Sequence, residues 1–297
     1  GSITVDQMYV QYQVPEGGDR HVPVVMVHGC CLSAMSYETT PDGRMGWNEY
    51  FLRKGRAVYL PDQVSRARSG FDATIYNEIR LGKRPASDMP AIRTATHEIA
   101  WTLFRFGPAM GKPFPNEQFP VEAMEEFGKQ VIPDLNAGLP ADNPTWSNMS
   151  ALAIKLKGVV LMGHSESGFF PERTALVNPS SIRGIITIEA DCSTPLTSPQ
   201  ISTLAGIPIL VVFGDHIADV PGPTGIWPAR LKFCQQFIDQ VNAAGGDAIM
   251  MHLPKYGQFG NSHMLMQDKN NLQVADLILK WIDDHIEAKK KPGNTRQ

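Results

Sequence analysis

The segment Val159-Val160-Leu161-Met162-Gly163-His164-Ser165-Glu166-Ser167-Gly168 decides how the chain is read. Apolar residues run without alternation, the pattern of a strand covered on both faces, as in a parallel sheet. Gly163 then opens a tight turn, and a helical pattern over 170–178 follows. A serine on a crowded strand-to-helix turn matches G-x-S-x-G, where the places two before and two after the serine must be small. Those places hold Gly163 and Ser167. The second departs from the strict pattern but is still small, and Gly168 follows it. Such a turn holds the serine side chain clear of the backbone. The N-terminus of the next helix aims backbone N–H groups at the same spot, where negative charge can be stabilised. Ser165 is therefore the candidate nucleophile.

Outward from this turn, short Val/Ile/Leu runs recur at 22–27, 56–60, 182–188, 207–213 and 248–253, with an early, partly alternating strand at 8–14. Helical patterns lie between them, at 47–54, 146–156, 170–178, 228–244 and 272–286. The stripe Leu231, Cys234, Phe237, Ile238, Val241 stops at Gly245-Gly246. Strands alternating with helices predict an α/β fold with a mostly parallel central sheet flanked by helices. The region 71–148 breaks the alternation. It is rich in Pro, Met and aromatics, and its best periodic pieces, 92–106 and 121–135, read as helical. Insertions in such sheets lie at the carboxyl edge of the strands, where ligands bind, so this one reads as a helical cap. The expected organisation is a core of 3–70 and 149–290, a cap of 71–148 and a disordered tail of 291–297. Trp101, Phe104, Phe106, Met110, Met124, Phe127 and Trp146 either line an apolar pocket or pack the cap's own core.

Composition narrows the function classes. Of 297 residues, 42% are hydrophobic and 19% charged, with a net charge of -3. This is an ordinary globular balance with no nucleic-acid footprint, and Lys289-Lys290-Lys291 reads as a solvated run. No stretch approaches the roughly 18 apolar residues of a membrane span. Gly1-Ser2 reads as a protease-cleavage scar and is set aside.

A serine hydroxyl needs a base within hydrogen-bond reach and an acid to orient that base, in the chain order Ser, acid, His. His263 sits in Gly257-Gln258-Phe259-Gly260-Asn261-Ser262-His263, a polar loop between the last strand run and the last helix, and is the candidate base. Three places after Gly214, where the acid commonly lies, stands Ile217. Asp215 and Asp219 are offset from that place. Glu189 ends the run Gly184-Ile185-Ile186-Thr187-Ile188, where a carboxylate is costly unless something uses it. Glu189 is the favoured acid, with Asp215 and Asp219 as alternatives. The loop His28-Gly29-Cys30-Cys31 follows another strand. Its Cys30 N–H and the Glu166 N–H are the expected oxyanion donors. Adjacent cysteines can close an eight-membered disulfide ring or stand as two buried thiols, and the residues leave both open. Cys192 and Cys234 are isolated, and no cysteine has metal-ligand spacing.

Four segments together resemble the bacterial esterase 713-like enzymes, a small branch of the α/β-hydrolases. They are His28-Gly29-Cys30-Cys31-Leu32, the Ser165 turn, Val211-Val212-Phe213-Gly214-Asp215-His216-Ile217 and Gly260-Asn261-Ser262-His263-Met264, the last extending through Gln267 to Asp276. The resemblance is clearest over 22–70 and 158–286 and weakest in the insertion. It implies an α/β-hydrolase fold and a serine carboxylesterase acting on a small-molecule ester through Ser165, His263 and Glu189. It further implies a Cys30–Cys31 vicinal disulfide beside the Cys30 and Glu166 oxyanion donors, a homodimer, and a periplasmic or secreted location. No cofactor, metal, nucleic acid or membrane is expected. Glu166 departs from the family, in which a neutral amide residue is expected, and a carboxylate facing inward there would oppose oxyanion formation. The same triad can also act on lactones, amides, thioesters or C–C bonds. A non-catalytic ligand-binding protein on this scaffold is the reading from another class, and it predicts a missing triad member.

Overall fold

The computed structural model describes residues 1–18, 20–135, 142–192 and 195–288. Seven strands form one sheet in the order β1-β3-β2-β4-β5-β6-β7: Val10–Gln13, Val24–Val27, Val58–Pro61, Val159–His164, Ile182–Ile188, Ile209–Phe213 and Ala248–His252. Only the edge pair β1–β3 is antiparallel; the remaining neighbours run parallel. The central strands have two buried faces, which is why β2 and β6 are apolar at every position, whereas the edge strand β1 is partly exposed and carries Gln11 and Gln13. Val24, Met26, Val160, Met162, Leu210 and Val212 pack on one side with Trp47, Phe51 and Ile278. Their neighbours Val25, Val27, Leu161, Val211 and Phe213 face the other side with Met149, Phe170 and Phe237. The helices Trp47–Arg53 and Asn271–Ile282 cover the first face. Pro144–Lys155, Phe170–Val177, Ser198–Ala205 and Trp227–Ala243 cover the second. No helix among the described residues is long and apolar enough to cross a membrane.

The insertion between β3 and β4 is less helical than its periodicity predicts. Of 92–106 only His97–Leu103 is α-helical, and of 121–135 only Met124–Gly128. A helix at Thr74–Arg80 that the pattern did not single out is present as well. Gly107, Pro108, Pro113, Pro115 and Pro120 break the chain between the two expected helices. The apolar spacing is instead used by short turns that build an aromatic cluster. Phe106 stacks on Phe119 at 3.9 Å, and Phe127 meets both edge-on. The expected tail of 291–297 lies outside the described residues.

This topology decides where chemistry can occur. Ser165 follows the last residue of β4, Glu189 the last of β5, and His263 lies in the loop after β7. All three strands are parallel, so these residues share the carboxyl edge of the sheet, the ligand-binding edge of open α/β folds.

Candidate active site

The turn after β4 is as tight as its sequence demands. Ser165 has φ +55°, a left-handed conformation costly for a side chain and frequent at functional sites. A Cβ at Gly163 would lie 2.0 Å from the Ser167 carbonyl oxygen, and one at Gly168 would lie 2.0 Å from the Ala190 Cβ. Ser167 fits where the strict pattern has glycine because its hydroxyl is used. It accepts the His164 N–H at 3.1 Å and donates to the Val27 carbonyl at 2.9 Å, tying the turn to β2.

His263 is fully buried. Its Nδ1 lies 3.3 Å from Glu189 Oε2, its backbone N–H donates to the Phe104 carbonyl at 2.9 Å, and its ring packs between Phe104, Trp227 and His164 at 4.6–4.8 Å. Asp268 holds the loop beneath it. The Ser262 N–H (3.0 Å), the Ser262 hydroxyl (2.6 Å) and the Asn261 amide (2.9 Å) all donate to its buried carboxylate. Asp268→Ala leaves these three donors without that acceptor. It is expected to cost about 3 kcal/mol of stability, measured by urea unfolding; a loss under about 0.5 kcal/mol would remove Asp268 from the support of this loop.

Among the candidate acids, Glu189 is the one beside His263. Asp215 caps its own loop, accepting the His216 and Gly260 N–H groups at 2.8 Å each, and Asp219 pairs with His216 at the surface. His252 lies within β7, and His285 pairs with Asp247. One residue of this centre escaped the sequence reading. Arg105, from the insertion and fully buried, forks onto both Glu189 oxygens at 2.7 and 2.8 Å. It also donates through Nε to the Asp215 carbonyl at 2.8 Å and lies over the Trp227 ring at 4.7 Å. Nothing in Leu103-Phe104-Arg105-Phe106 marks it, because its partner is 84 positions away.

Electrostatics follow from this packing. Burial alone would push the Glu189 carboxyl up. The Arg105 charge, with hydrogen bonds from His263 and Arg105, overrides burial and brings it down to about 2. Burial lowers His263 to about 4; Glu189 opposes that shift and Arg105 adds to it. The imidazole is thus neutral and able to accept a proton throughout the neutral range.

Cys30 and Glu166 both line the cavity that contains Ser165 and His263. Neither of their backbone N–H groups has an acceptor among the described residues. The Glu166 carboxylate meets Arg66, which also pairs with Asp134, at 3.0 Å and Arg93 at 3.7 Å; burial, with the Asp134 charge beside it, still raises its pKa. Where the vicinal disulfide is expected, the Cys30 and Cys31 Sγ atoms lie 2.8 Å apart, beyond an S–S bond length and inside the contact distance of two unbonded sulfurs. Cys31 takes a left-handed φ of +60°, and its N–H donates to the Asp134 carboxylate at 3.0 Å. The hydrogen bond with Cys31, burial and the Glu166 charge all raise the Cys30 pKa, which keeps that thiol protonated. The disulfide joins instead the two cysteines that looked isolated. Cys192, just past Glu189, is bonded to Cys234 on the helix Trp227–Ala243.

The cavity measures about 520 Å³, and its apolar wall comes from both parts of the chain: Ile99, Leu103 and Phe104 from the insertion, Phe169, Ile226 and Trp227 from the core. Of the aromatics and methionines singled out in sequence, only Phe104 reaches it. Trp101, Phe106, Met124 and Phe127 are buried with one another, Met110 is exposed, and Trp146 packs edge-on against Phe169 and Phe170.

No protein-family model matches the chain. The solved structure of a novel bacterial esterase is 52% identical, superposes with a TM-score of 0.90, and matches over 96% of this chain and 87% of its own. A probable secreted lipase, phiG, from a fungal species (strain ATCC 74256) is 26% identical over 321 residues, covering 93% of this chain and 85% of that protein. With its parallel sheet, its serine turn after β4 and this degree of identity, the chain belongs to the bacterial esterases of the α/β-hydrolase fold, enzymes that hydrolyse ester bonds.

Proposed function

We propose that ester hydrolysis here runs through Ser165 as nucleophile, His263 as general base and Glu189 as the acid that orients it, by way of an acyl-enzyme. The carrying observation is the contact of His263 Nδ1 with Glu189 Oε2 at 3.3 Å, beneath a cavity whose wall includes both His263 and Ser165. Ser165 has no hydrogen bond to His263 among the described residues, and such bonds are often long in unliganded enzymes and tighten on substrate binding. Ser165 Oγ attacks the ester carbonyl as His263 Nε2 takes its proton. Glu189 keeps the other proton on Nδ1 and stabilises the imidazolium. The oxyanion is received by the Cys30 and Glu166 N–H groups, and each such donor contributes roughly 3 kcal/mol to the transition state. His263 protonates the leaving alcohol, and water repeats the sequence on the acyl-enzyme.

The substrate is a small ester with an apolar acyl or aryl part, which the cavity's walls and volume accommodate. The insertion acts as a cap, supplying part of that wall. A periplasmic or secreted location is supported by the Cys192–Cys234 disulfide and by the secreted relative. Homodimer formation rests on the family resemblance alone and is testable by light scattering.

A fluorophosphonate probe tests the nucleophile. Mass spectrometry should find the adduct on the Ser165 peptide of the native protein, and an adduct elsewhere with Ser165 unmodified would overturn the assignment. The pH profile follows from His263. Its lowered value keeps it unprotonated until pH falls through about 4, so kcat/KM should hold across neutral pH and decline only on that acid side. The apparent midpoint belongs to the coupled His263–Glu189 pair. A midpoint at 6.5, the ordinary histidine value, would contradict the described burial.

A further inference from the structure

Residues 104 and 105 of the insertion touch both candidate proton-handling groups. The Phe104 carbonyl accepts the backbone N–H of His263 and its ring lies 4.8 Å from the imidazole, while the Arg105 guanidinium forks onto Glu189. Arg105 takes φ +61°, a left-handed backbone that is strained for a residue with a side chain. Each of its three nitrogens donates a hydrogen bond, two to Glu189 and one to the Asp215 carbonyl, and the group lies over the Trp227 ring. The left-handed backbone and these contacts on three sides fix this side chain relative to the acid. We propose that Arg105 is a positioning residue of the catalytic centre, fixing the Glu189 carboxylate and sharing its charge with His263, a role that rests on the triad reading above.

The reason is charge sharing. Glu189 carries one negative charge, and two groups draw on it: the permanent cation Arg105 and the imidazolium that forms on His263 during catalysis. What Arg105 takes is not available to the imidazolium. His263 is therefore a weaker base than the same histidine beside a lone carboxylate, and it stays unprotonated further into acid. The other charged or titratable groups facing the pair do not replace Arg105. His164 packs its ring on His263 from β4, His252 faces Glu189 and Arg105 from the end of β7, Arg230 acts from the helix Trp227–Ala243, and Asp268 lies in the loop of His263. Asp215 meets Arg105 through its backbone carbonyl. A consequence for the fold is that the insertion is wired to the acid and base directly, besides lining the cavity.

Two variants separate the parts of this role. Arg105→Gln removes the charge and the fork. The acid limb of kcat/KM should move up by about 1 pH unit or more, the size of effect a neighbouring charge exerts, and the plateau kcat should fall roughly 10-fold or more as Glu189 loosens. Arg105→Lys keeps a charge without a fork, so the plateau should fall while the acid limb stays within about 0.3 pH units of the native enzyme. A purely structural ion pair would lower stability and active-enzyme yield and leave the limb unmoved, and that result overturns the proposal. If Arg105→Gln does not fold, Arg105→Lys decides: a plateau kcat per titrated active site that falls about 10-fold or more with the acid limb unmoved supports the proposal, and a plateau equal to that of the native enzyme overturns it. Failure of the triad reading has a different signature, namely ester hydrolysis that survives Ser165→Ala or His263→Ala.

Discussion

Ser165→Ala is expected to lower kcat for ester hydrolysis by about 10⁵–10⁶ while leaving KM within a few-fold. The magnitude is that of deleting the nucleophile from a working serine triad, whose members act as a unit. The substitution removes one oxygen. That oxygen makes no hydrogen bond among the described residues, so the fold loses no contact through it, and alanine can keep the left-handed turn that serine already occupies. KM should hold because the cavity walls are untouched. A residual rate above that of water is expected from the oxyanion donors and from binding, which together supply roughly 10³–10⁴. The measurement is steady-state hydrolysis of a chromogenic ester at neutral pH, with circular dichroism to verify the fold. Retention of more than about 1% of kcat would remove Ser165 as the nucleophile.

How much of this site could be read from the chain depends on whether a residue's role is local. The serine turn is local: Gly163 and Gly168 are small because atoms of Ser167, and of Ala190 just past β5, would collide with anything larger, and the order strand, turn, helix surrounds them. The sheet is legible for a related reason. Strands with two buried faces must be apolar at every position, and those runs stand out. Glu189 is legible because a charge at the end of such a run demands a partner. The identity of that partner is not legible. Arg105 lies in an aromatic stretch whose spacing reads as helix, and its destination is set by the path of the insertion. The Cys192–Cys234 pairing is hidden in the same way, since no spacing rule assigns partners among four cysteines. The vicinal Cys30 and Cys31, which the resemblance joins, stand with their Sγ atoms 2.8 Å apart beside Asp134. The insertion's helices were over-read because apolar residues at helical spacing serve equally well in short turns around a packed aromatic cluster.

Glu189→Gln should be nearly as damaging to catalysis and more damaging to stability, for reasons that can be counted atom by atom. The carboxylate receives four donors. Arg105 Nη1 and His263 Nδ1 approach Oε2, and Arg105 Nη2 and the Gly214 N–H approach Oε1. Glutamine offers one oxygen and one NH₂ in the same space. Whichever way the amide turns, two donors face its NH₂ group. With the NH₂ toward His263, the imidazole must accept on Nδ1, which places its proton on Nε2, where it cannot take one from Ser165. With the NH₂ toward Gly214, a backbone N–H and one arm of the fork lose their acceptor. In both cases the Arg105 charge stays buried without its counter-ion, a condition that typically costs 3–5 kcal/mol. The expected result is a fall in kcat of about 10⁴, the effect of the corresponding acid-to-amide change in a serine triad, together with a drop of about 3–5 kcal/mol in urea unfolding free energy. The double variant Glu189→Gln with Arg105→Gln should recover part of that stability, because the unpaired charge is gone, yet none of the kcat. A single variant within 10-fold of the native kcat would take Glu189 out of the triad, and a double variant no more stable than the single one would mean that the buried Arg105 charge is not what destabilises it.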